Sequence, residues 1–195
     1  MDKLLSFLKN IPEYQLLLKS VSRNEAAAVT GLGQINRSHL IAGLRREFDR
    51  PVVVICQDDM TAKRLQQELA AFLGETAPVL PSRELTLYDT AVVSRAWEQK
   101  RLNQLFSLTS GRTGLQILTW EALSQRTIPP AVLKKAAFPL EVGQEYPLEE
   151  LLEKLTHAGY TRCGMVEGPG QFAVRGGIVD IYSPAADRPF RAEFF

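Results

Sequence analysis

Cysteine and histidine are scarce in this sequence of 195 residues, which contains two of each. Cys56 and Cys163 lie far apart in the chain, so they form neither a disulfide framework nor the paired spacing of a zinc site, and we expect two reduced, partly buried thiols. His39 and His157 fall within and at the end of predicted helices, where structural roles are expected. Metal and redox chemistry are therefore not expected, although a triad assembled from distant residues stays open.

Long hydrophobic runs are also missing. The strongest run, Val52 to Cys56, is far shorter than the roughly 18 apolar residues typical of a membrane span. The first ten residues lack the basic start and small-residue cleavage site of a secretory signal. We therefore expect a cytoplasmic protein with no membrane partner.

The sequence has no excess of charge of either sign, because 23 basic side chains are balanced by 22 acidic ones, a formal net charge of +1. A domain that mainly binds nucleic acid usually has a basic excess, so the totals do not favour that class. Hydrophobic residues make up 45% of the chain, which is enough to bury a core, and the length suits one large domain or two small ones.

Strand-like and helix-like segments alternate over residues 1–134. Two short amphipathic helices come first and are separated by Ile11-Pro12. The strands predicted next are 26–30, 51–56, 77–80 and 115–118, and the helices between them are 38–48, 60–72 and 94–108. Asp58 or Asp59 is expected to cap the second of these helices, and Gly74 to end it. This alternation predicts an α/β domain with a parallel sheet.

The composition changes after Arg126, and we predict a smaller α+β domain over residues 135–195. Its expected elements are a strand at 136–140, a helix at 148–157 and extended runs at 171–182 and 190–195.

The glycine turn after the first predicted strand can be compared with a phosphate-binding loop, G-x-x-x-x-G-K-[ST]. That loop uses backbone amides and a lysine against the phosphates and a hydroxyl to hold magnesium. Only the second glycine of the pattern is met, by Gly33, while Gly31 falls at a variable position. Ala28 replaces the first glycine, Gln34 the lysine and Ile35 the hydroxyl residue. A plain strand-to-helix turn is favoured over a weak anion site, which suggests a nucleotide-binding fold without nucleotide hydrolysis.

The end of the chain alternates between two faces. Phe190, Ala192 and Phe194 are expected on the core face, which leaves Arg191, Glu193 and Phe195 on the other. Arg175 comes just before Gly176-Gly177, where a bulge or tight bend would project its side chain. Exposed arginine and aromatic side chains fit a protein-binding patch, although the pattern alone is better explained by ordinary cross-strand pairs.

These last residues carry a family resemblance. Gly168 to Pro184, with the segment Pro189 to Phe195, closely resembles the signature shared by the excision-repair protein UvrB and the N-terminal module of bacterial transcription-repair coupling factors. The degenerate loop, and the short connection after Leu118 where UvrB inserts a long hairpin, are similar to the coupling factors. The resemblance implies a degenerate P-loop, RecA-like helicase domain at 1–134 and the start of a UvrB domain 2-like, UvrA-binding domain at 135–195.

The resemblance also implies a function. The family's docking surface matches Arg175, Arg191 and Phe195, so we expect a non-catalytic adaptor that recruits UvrA to stalled RNA polymerase. A UvrB-like nucleotide- or damaged-DNA-binding module is the alternative. No cofactor is expected, since ATP and magnesium would belong to motor domains elsewhere in a longer protein. The other expected partners are the protein's own C-terminal domain and, through other parts, RNA polymerase and DNA.

Overall fold

The computed structural model describes residues 2–82, 95–111 and 114–195. The chain divides into two compact units, Met1–Glu84 with Gly111–Gln125, and Leu85–Ser110 with Arg126–Phe195. The first unit ends before the predicted boundary at 134/135, which falls inside the second unit.

Helices and strands are numbered here in chain order. The helices are α1 (Asp2–Phe7), α2 (Pro12–Ser22), α3 (Gln34–Glu47), α4 (Asp59–Leu73), α5 (Arg95–Thr109), α6 (Trp120–Ser124), α7 (Pro130–Ala136) and α8 (Leu148–His157), with a 3-10 turn at Leu8–Asn10. The strands are β1 (Val52–Cys56), β2 (Val79–Leu80), β3 (Leu115–Thr119), β4 (Thr161–Arg162), β5 (Gln171–Arg175), β6 (Ile178–Tyr182) and β7 (Phe190–Glu193). The helix predicted at 94–108 is confirmed as α5, except that Ser94 lies outside the described residues.

The first unit contains the predicted parallel sheet, with strand order β1-β3-β2 and parallel pairing throughout. Helix α4 connects β1 to β2, and both of its ends follow the sequence signals. The Asp58 carboxylate accepts a hydrogen bond from the Thr61 amide, and Gly74 ends the helix with a left-handed φ of 76°. The α/β prediction for this unit is therefore confirmed.

The core of the first unit lies between the sheet and its helices. Its buried side chains include Ala42 of α3, Leu69 of α4 and Ile117 of β3. The prediction that β1 is a buried strand is only half right, because Val53 and Ile55 are 55% and 51% exposed while Val52 and Val54 pack against the core. The strand buries one face, as its alternating burial shows.

The strand predicted at 26–30 is wrong. These residues are described, but they have no regular secondary structure and are exposed. Three consecutive alanines, Ala26 to Ala28, offer little side-chain area to bury against a neighbouring strand, and packing rather than intrinsic preference decides strand formation. Helix α3 starts at Gln34, directly after the glycine turn, and so earlier than the predicted start at 38.

The second unit has a four-stranded sheet of order β4-β5-β6-β7, in which β4 and β5 are parallel and the other pairs antiparallel. Helix α8 presents leucines at helical spacing, of which Leu151 and Leu155 are buried against Phe172, Val179 and Ile181 of the sheet. The predicted α+β character of this region is confirmed.

The strand predicted at 136–140 is also wrong. Pro130 starts α7, which runs through Ala136, and the chain then continues without regular structure. Phe138 and Leu140 are partly buried against the core of the second unit. Their alternation therefore reflects packing of an irregular segment, and not strand pairing.

Candidate protein-docking surface

The turn between β5 and β6 positions Arg175. Gly176 and Gly177 form a two-residue connection in which Gly176 has a φ of +59°, a conformation that favours glycine. The register therefore pairs Arg175 with Ile178 and Ala173 with Asp180. Arg175 lies at the exposed end of β5, as the sequence predicted, at a tight turn and not at a bulge.

A short loop brings β7 back beside β6. The loop is closed by the Tyr182 hydroxyl, which donates to the Asp187 carbonyl at 3.0 Å. In the resulting register, Asp180 is opposite Arg191 and Val179 is opposite Ala192. Since side chains alternate along a strand, Asp180 and Arg191 share the face of the sheet that lies opposite the buried Val179.

Arg191 and Asp180 form an ion pair across these two strands. The Nε and Nη2 groups of Arg191 donate to the two carboxylate oxygens of Asp180 at 2.7 and 3.1 Å. These hydrogen bonds, together with the charges of Arg191 and Arg175, hold the pKa of Asp180 below its ordinary value. The carboxylate therefore stays ionised and fixes one edge of the guanidinium.

Phe195 is brought to the same end of the sheet by a backbone contact. The Phe194 amide donates to the Gly177 carbonyl at 2.8 Å, and the Phe194 side chain packs against the core of the second unit. Phe195, the next residue, is fully exposed beside the turn that follows Arg175. We define the docking surface as Arg175, Arg191 and Phe195.

The predicted core face of this segment is right for two of its three residues. Ala192 is partly buried and Phe194 packs against the core, but Phe190 is 42% exposed. Phe190 lies at the start of an edge strand, where the preceding loop leaves it uncovered.

Sequence reasoning missed Asp180. The two-glycine turn fixes the pairing of β5 with β6, and alternation then places Asp180 on the face of Arg175. That signal was available in the sequence. The pairing of Asp180 with Arg191 on β7 could not be predicted in this way, because a loop of several residues does not determine the register of the strand after it.

The residues that the sequence analysis compared with a phosphate-binding loop lie before and at the start of α3. Ala28 is in the exposed irregular segment, Gly31 has a left-handed φ of 78°, and Gly33 is the N-cap residue of α3. Gln34 takes the lysine position of the motif, and Ile35, at the hydroxyl position, is 52% exposed.

The side chains at the start of α3 are bonded to α4. The Gln34 amide donates to the Glu68 carboxylate at 2.9 Å, and Arg64 donates to the Gln34 carbonyl oxygen at 2.6 Å. The buried Ser38 hydroxyl donates to the other oxygen of Glu68. A carboxylate of the chain itself therefore lies beside the first turns of α3, near the helix end where an anion is favoured.

The two cysteines are as the sequence analysis expected. Cys56 and Cys163 are both free thiols, one buried and the other partly buried. Over residues 2–82, 95–111 and 114–195, no group of three or more histidine, cysteine, aspartate or glutamate side chains is arranged to hold a metal ion. Among the same residues, no helix is both long enough and apolar enough to span a membrane.

The residues that form the four-stranded sheet match a known protein family. Residues 138–195, which contain α8, the whole sheet and the docking surface, match the model of the UvrB interaction domain. These residues are therefore similar to a UvrB interaction domain. The resemblance drawn from Gly168 to Phe195 is therefore confirmed.

The chain as a whole is similar to transcription-repair-coupling factors over most of its length. It is 34% identical to that of Myxococcus xanthus over 173 residues, or 85% of this chain. It is 27% identical to that of Bacillus subtilis (strain 168) over its full length, and 29% identical to that of Escherichia coli (strain K12) over 80% of it. The chain spans only 14 to 17% of the length of these relatives.

Proposed function

We propose that this chain is a non-catalytic adaptor module of transcription-coupled nucleotide excision repair, which binds UvrA through Arg175, Arg191 and Phe195. The observation that carries the proposal is that Arg175 and Arg191 share one face of the sheet that matches a UvrB interaction domain, and that Phe195 lies at the same end of this sheet as Arg175. Arginine and large aromatic side chains supply much of the binding energy at protein interfaces.

The geometry suits a compact interface. Phe195 directly follows Phe194, whose amide is bonded to Gly177, while Arg191 keeps donors that its pair with Asp180 does not use. Both are attached to a sheet that is packed on α8 through buried Leu151 and Leu155, so the surface stands on a rigid support. Rigid anchors lose little conformational entropy on binding.

The first unit supports a non-catalytic role. In the proposal it is a degenerate RecA-like, P-loop domain in which Gln34 and Ile35 replace the groups that act on phosphate and magnesium. The Gln34 side chain, at the lysine position of the motif, is already bonded to Glu68 through its amide and to Arg64 through its carbonyl oxygen. We therefore propose that this module needs no ATP, magnesium or other cofactor.

The remaining partners belong to the proposal as well. By its similarity to transcription-repair-coupling factors, the module would recruit UvrA to a stalled RNA polymerase in the cytoplasm. Contacts with polymerase and DNA would be made by other parts of a longer protein. A C-terminal domain of that protein would cover the docking surface until polymerase is engaged.

A footprint of UvrA on the chain tests this proposal. Hydrogen–deuterium exchange should show slower exchange in peptides covering 171–182 and 190–195 when UvrA is added. Peptides covering 26–36, at the degenerate loop, should exchange at the same rate with and without UvrA. Protection at 26–36 without protection at 190–195 would contradict the proposed docking surface.

A further inference from the structure

Asp180 is the acidic member of the face that carries Arg175 and Arg191, and the proposed function assigns it no role. It lies in the middle of β6, opposite Ala173 on one side and Arg191 on the other. Its side chain is only 18% exposed, whereas that of Arg191 is 53% exposed. The carboxylate is thus the more enclosed partner of the ion pair, and the guanidinium is the part that a partner protein can reach.

We infer that Asp180 is a positioning residue of the docking surface, which holds the Arg191 guanidinium in the orientation in which the partner protein binds it. The inference rests on the proposed function, because it assumes that Arg191 contacts UvrA.

The pattern of hydrogen bonds supports this role. Asp180 accepts from the Nε and Nη2 groups of Arg191, which leaves both hydrogens of Nη1 outside the pair. Arginine has a long, flexible side chain, and fixing its guanidinium before binding reduces the entropy lost in the complex. The Nη1 group, which the pair with Asp180 does not use, fits an acceptor on the partner, such as a carboxylate or a backbone carbonyl.

The charged side chains on this face indicate which kind of partner site fits it. Arg175 and Arg191 are balanced by Asp180 and by Glu193, which also acts electrostatically on Arg191. A face without net charge attracts a partner weakly at long range, so it selects by the fit of individual groups. The partner site that fits combines an apolar pocket for Phe195 with hydrogen-bond acceptors for the arginines.

Affinity measurements with UvrA test the inference through a double-mutant cycle. The variants are Asp180→Asn, Arg191→Ala and the two combined, with Asp187→Asn in the exposed loop as a control for loss of one negative charge. We expect Asp180→Asn to weaken binding about tenfold, the size of a charge-assisted hydrogen bond, and the control to bind like the wild type. In the Arg191→Ala background, Asp180→Asn should change the affinity by less than about twofold, because it acts through Arg191.

A second variant at residue 180 separates a loss of binding from a loss of folding. Asp180→Glu keeps the charge but moves the carboxylate outward, so it should fold, as thermal unfolding will show, and still weaken binding. Wild-type or tighter binding by both folded Asp180 variants would overturn the inference, and so would an equal loss with and without Arg191. If Arg191→Ala itself binds like the wild type, the proposed function fails together with the inference. If Arg191→Ala binds weakly and the Asp180 variants do not, only the inference fails.

Discussion

Gly177 packs closely against the carbonyl group of Phe194. A Cβ atom at residue 177 would be 2.8 Å from the Phe194 carbonyl oxygen, which is too close for any side chain there. The same two residues are joined by the hydrogen bond from the Phe194 amide to the Gly177 carbonyl, at 2.8 Å. This contact fixes the chain that follows β7 against the turn that follows β5. It is the reason that Phe195 and Arg175 lie at the same end of the sheet.

Gly177→Ala should disturb this end of the sheet. The added methyl group meets backbone, which cannot move as a flexible side chain would, so we expect the free energy of unfolding to fall by about 1 to 3 kcal/mol. Binding to UvrA should weaken as well, because Phe195 is displaced. Chemical denaturation and a UvrA titration check the two effects.

Gly164→Ala is the matched control for this substitution. Nothing lies within 4 Å of a Cβ at Gly164, and its φ is not in the left-handed region. Equal free energies of unfolding for the two alanine variants would show that the close approach of Gly177 and Phe194 contributes nothing.

Glu68→Ala should destabilise the first unit. The substitution removes the acceptor of the Gln34 amide and of the buried Ser38 hydroxyl, and an unpaired buried hydroxyl costs about 1 to 3 kcal/mol. Denaturant unfolding measures the loss, and Glu75→Ala, at an exposed glutamate, is the control. An unchanged midpoint for Glu68→Ala would mean that Glu68 does not stabilise the start of α3.

The same two proteins test the interpretation of the phosphate loop. With ATP and magnesium, we expect neither the wild type nor Glu68→Ala to hydrolyse nucleotide, because Gln34 and Ile35 supply neither the lysine nor the hydroxyl of a working loop. ATP hydrolysis by the purified wild-type chain would contradict the non-catalytic role.

The N-cap of α4 predicts a dependence of stability on pH. The hydrogen bond from the Thr61 amide lowers the pKa of Asp58 below its ordinary value of 3.8. A lowered folded-state pKa stabilises the fold above the ordinary value, and this stabilisation is lost as the pH falls through the folded-state pKa. Asp58→Ser keeps an uncharged cap, so its thermal midpoint should fall less on acidification below about pH 4 than that of the wild type. If the thermal midpoints of the two proteins fell equally with pH, the lowered pKa of Asp58 would not contribute to stability.

The sequence predicted best where local rules decide the structure. Asp58 and Gly74 bound α4 because a carboxylate caps free amides and glycine accepts a left-handed φ. The sequence also indicated a bulge or tight bend at Gly176-Gly177, but it predicted one extended run over 171–182, whereas the structure has two strands, β5 and β6, paired across a two-residue turn.

The sequence predicted poorly where a distant neighbour decides. Residues 26–30 and 136–140 look like strands, yet pairing depends on a partner strand that local pattern does not show. The exposure of Val53 and Ile55 could not be predicted either, because an apolar run does not say how many faces of its sheet are covered. At the docking surface, alternation indicated Arg191 and Phe195, but the pairing of Arg191 with Asp180 depends on the register of β7.

The most direct test of the central claim is the dissociation constant of the chain for UvrA, measured by titration of the wild type and of an Arg191→Glu, Phe195→Ala double variant. The matched control is Arg188→Glu, Phe190→Ala, which makes the same two exchanges at exposed positions outside the docking surface. We predict that the first double variant loses measurable binding while the control keeps wild-type affinity, with both folded by circular dichroism. Wild-type affinity in the Arg191→Glu, Phe195→Ala variant would contradict the account.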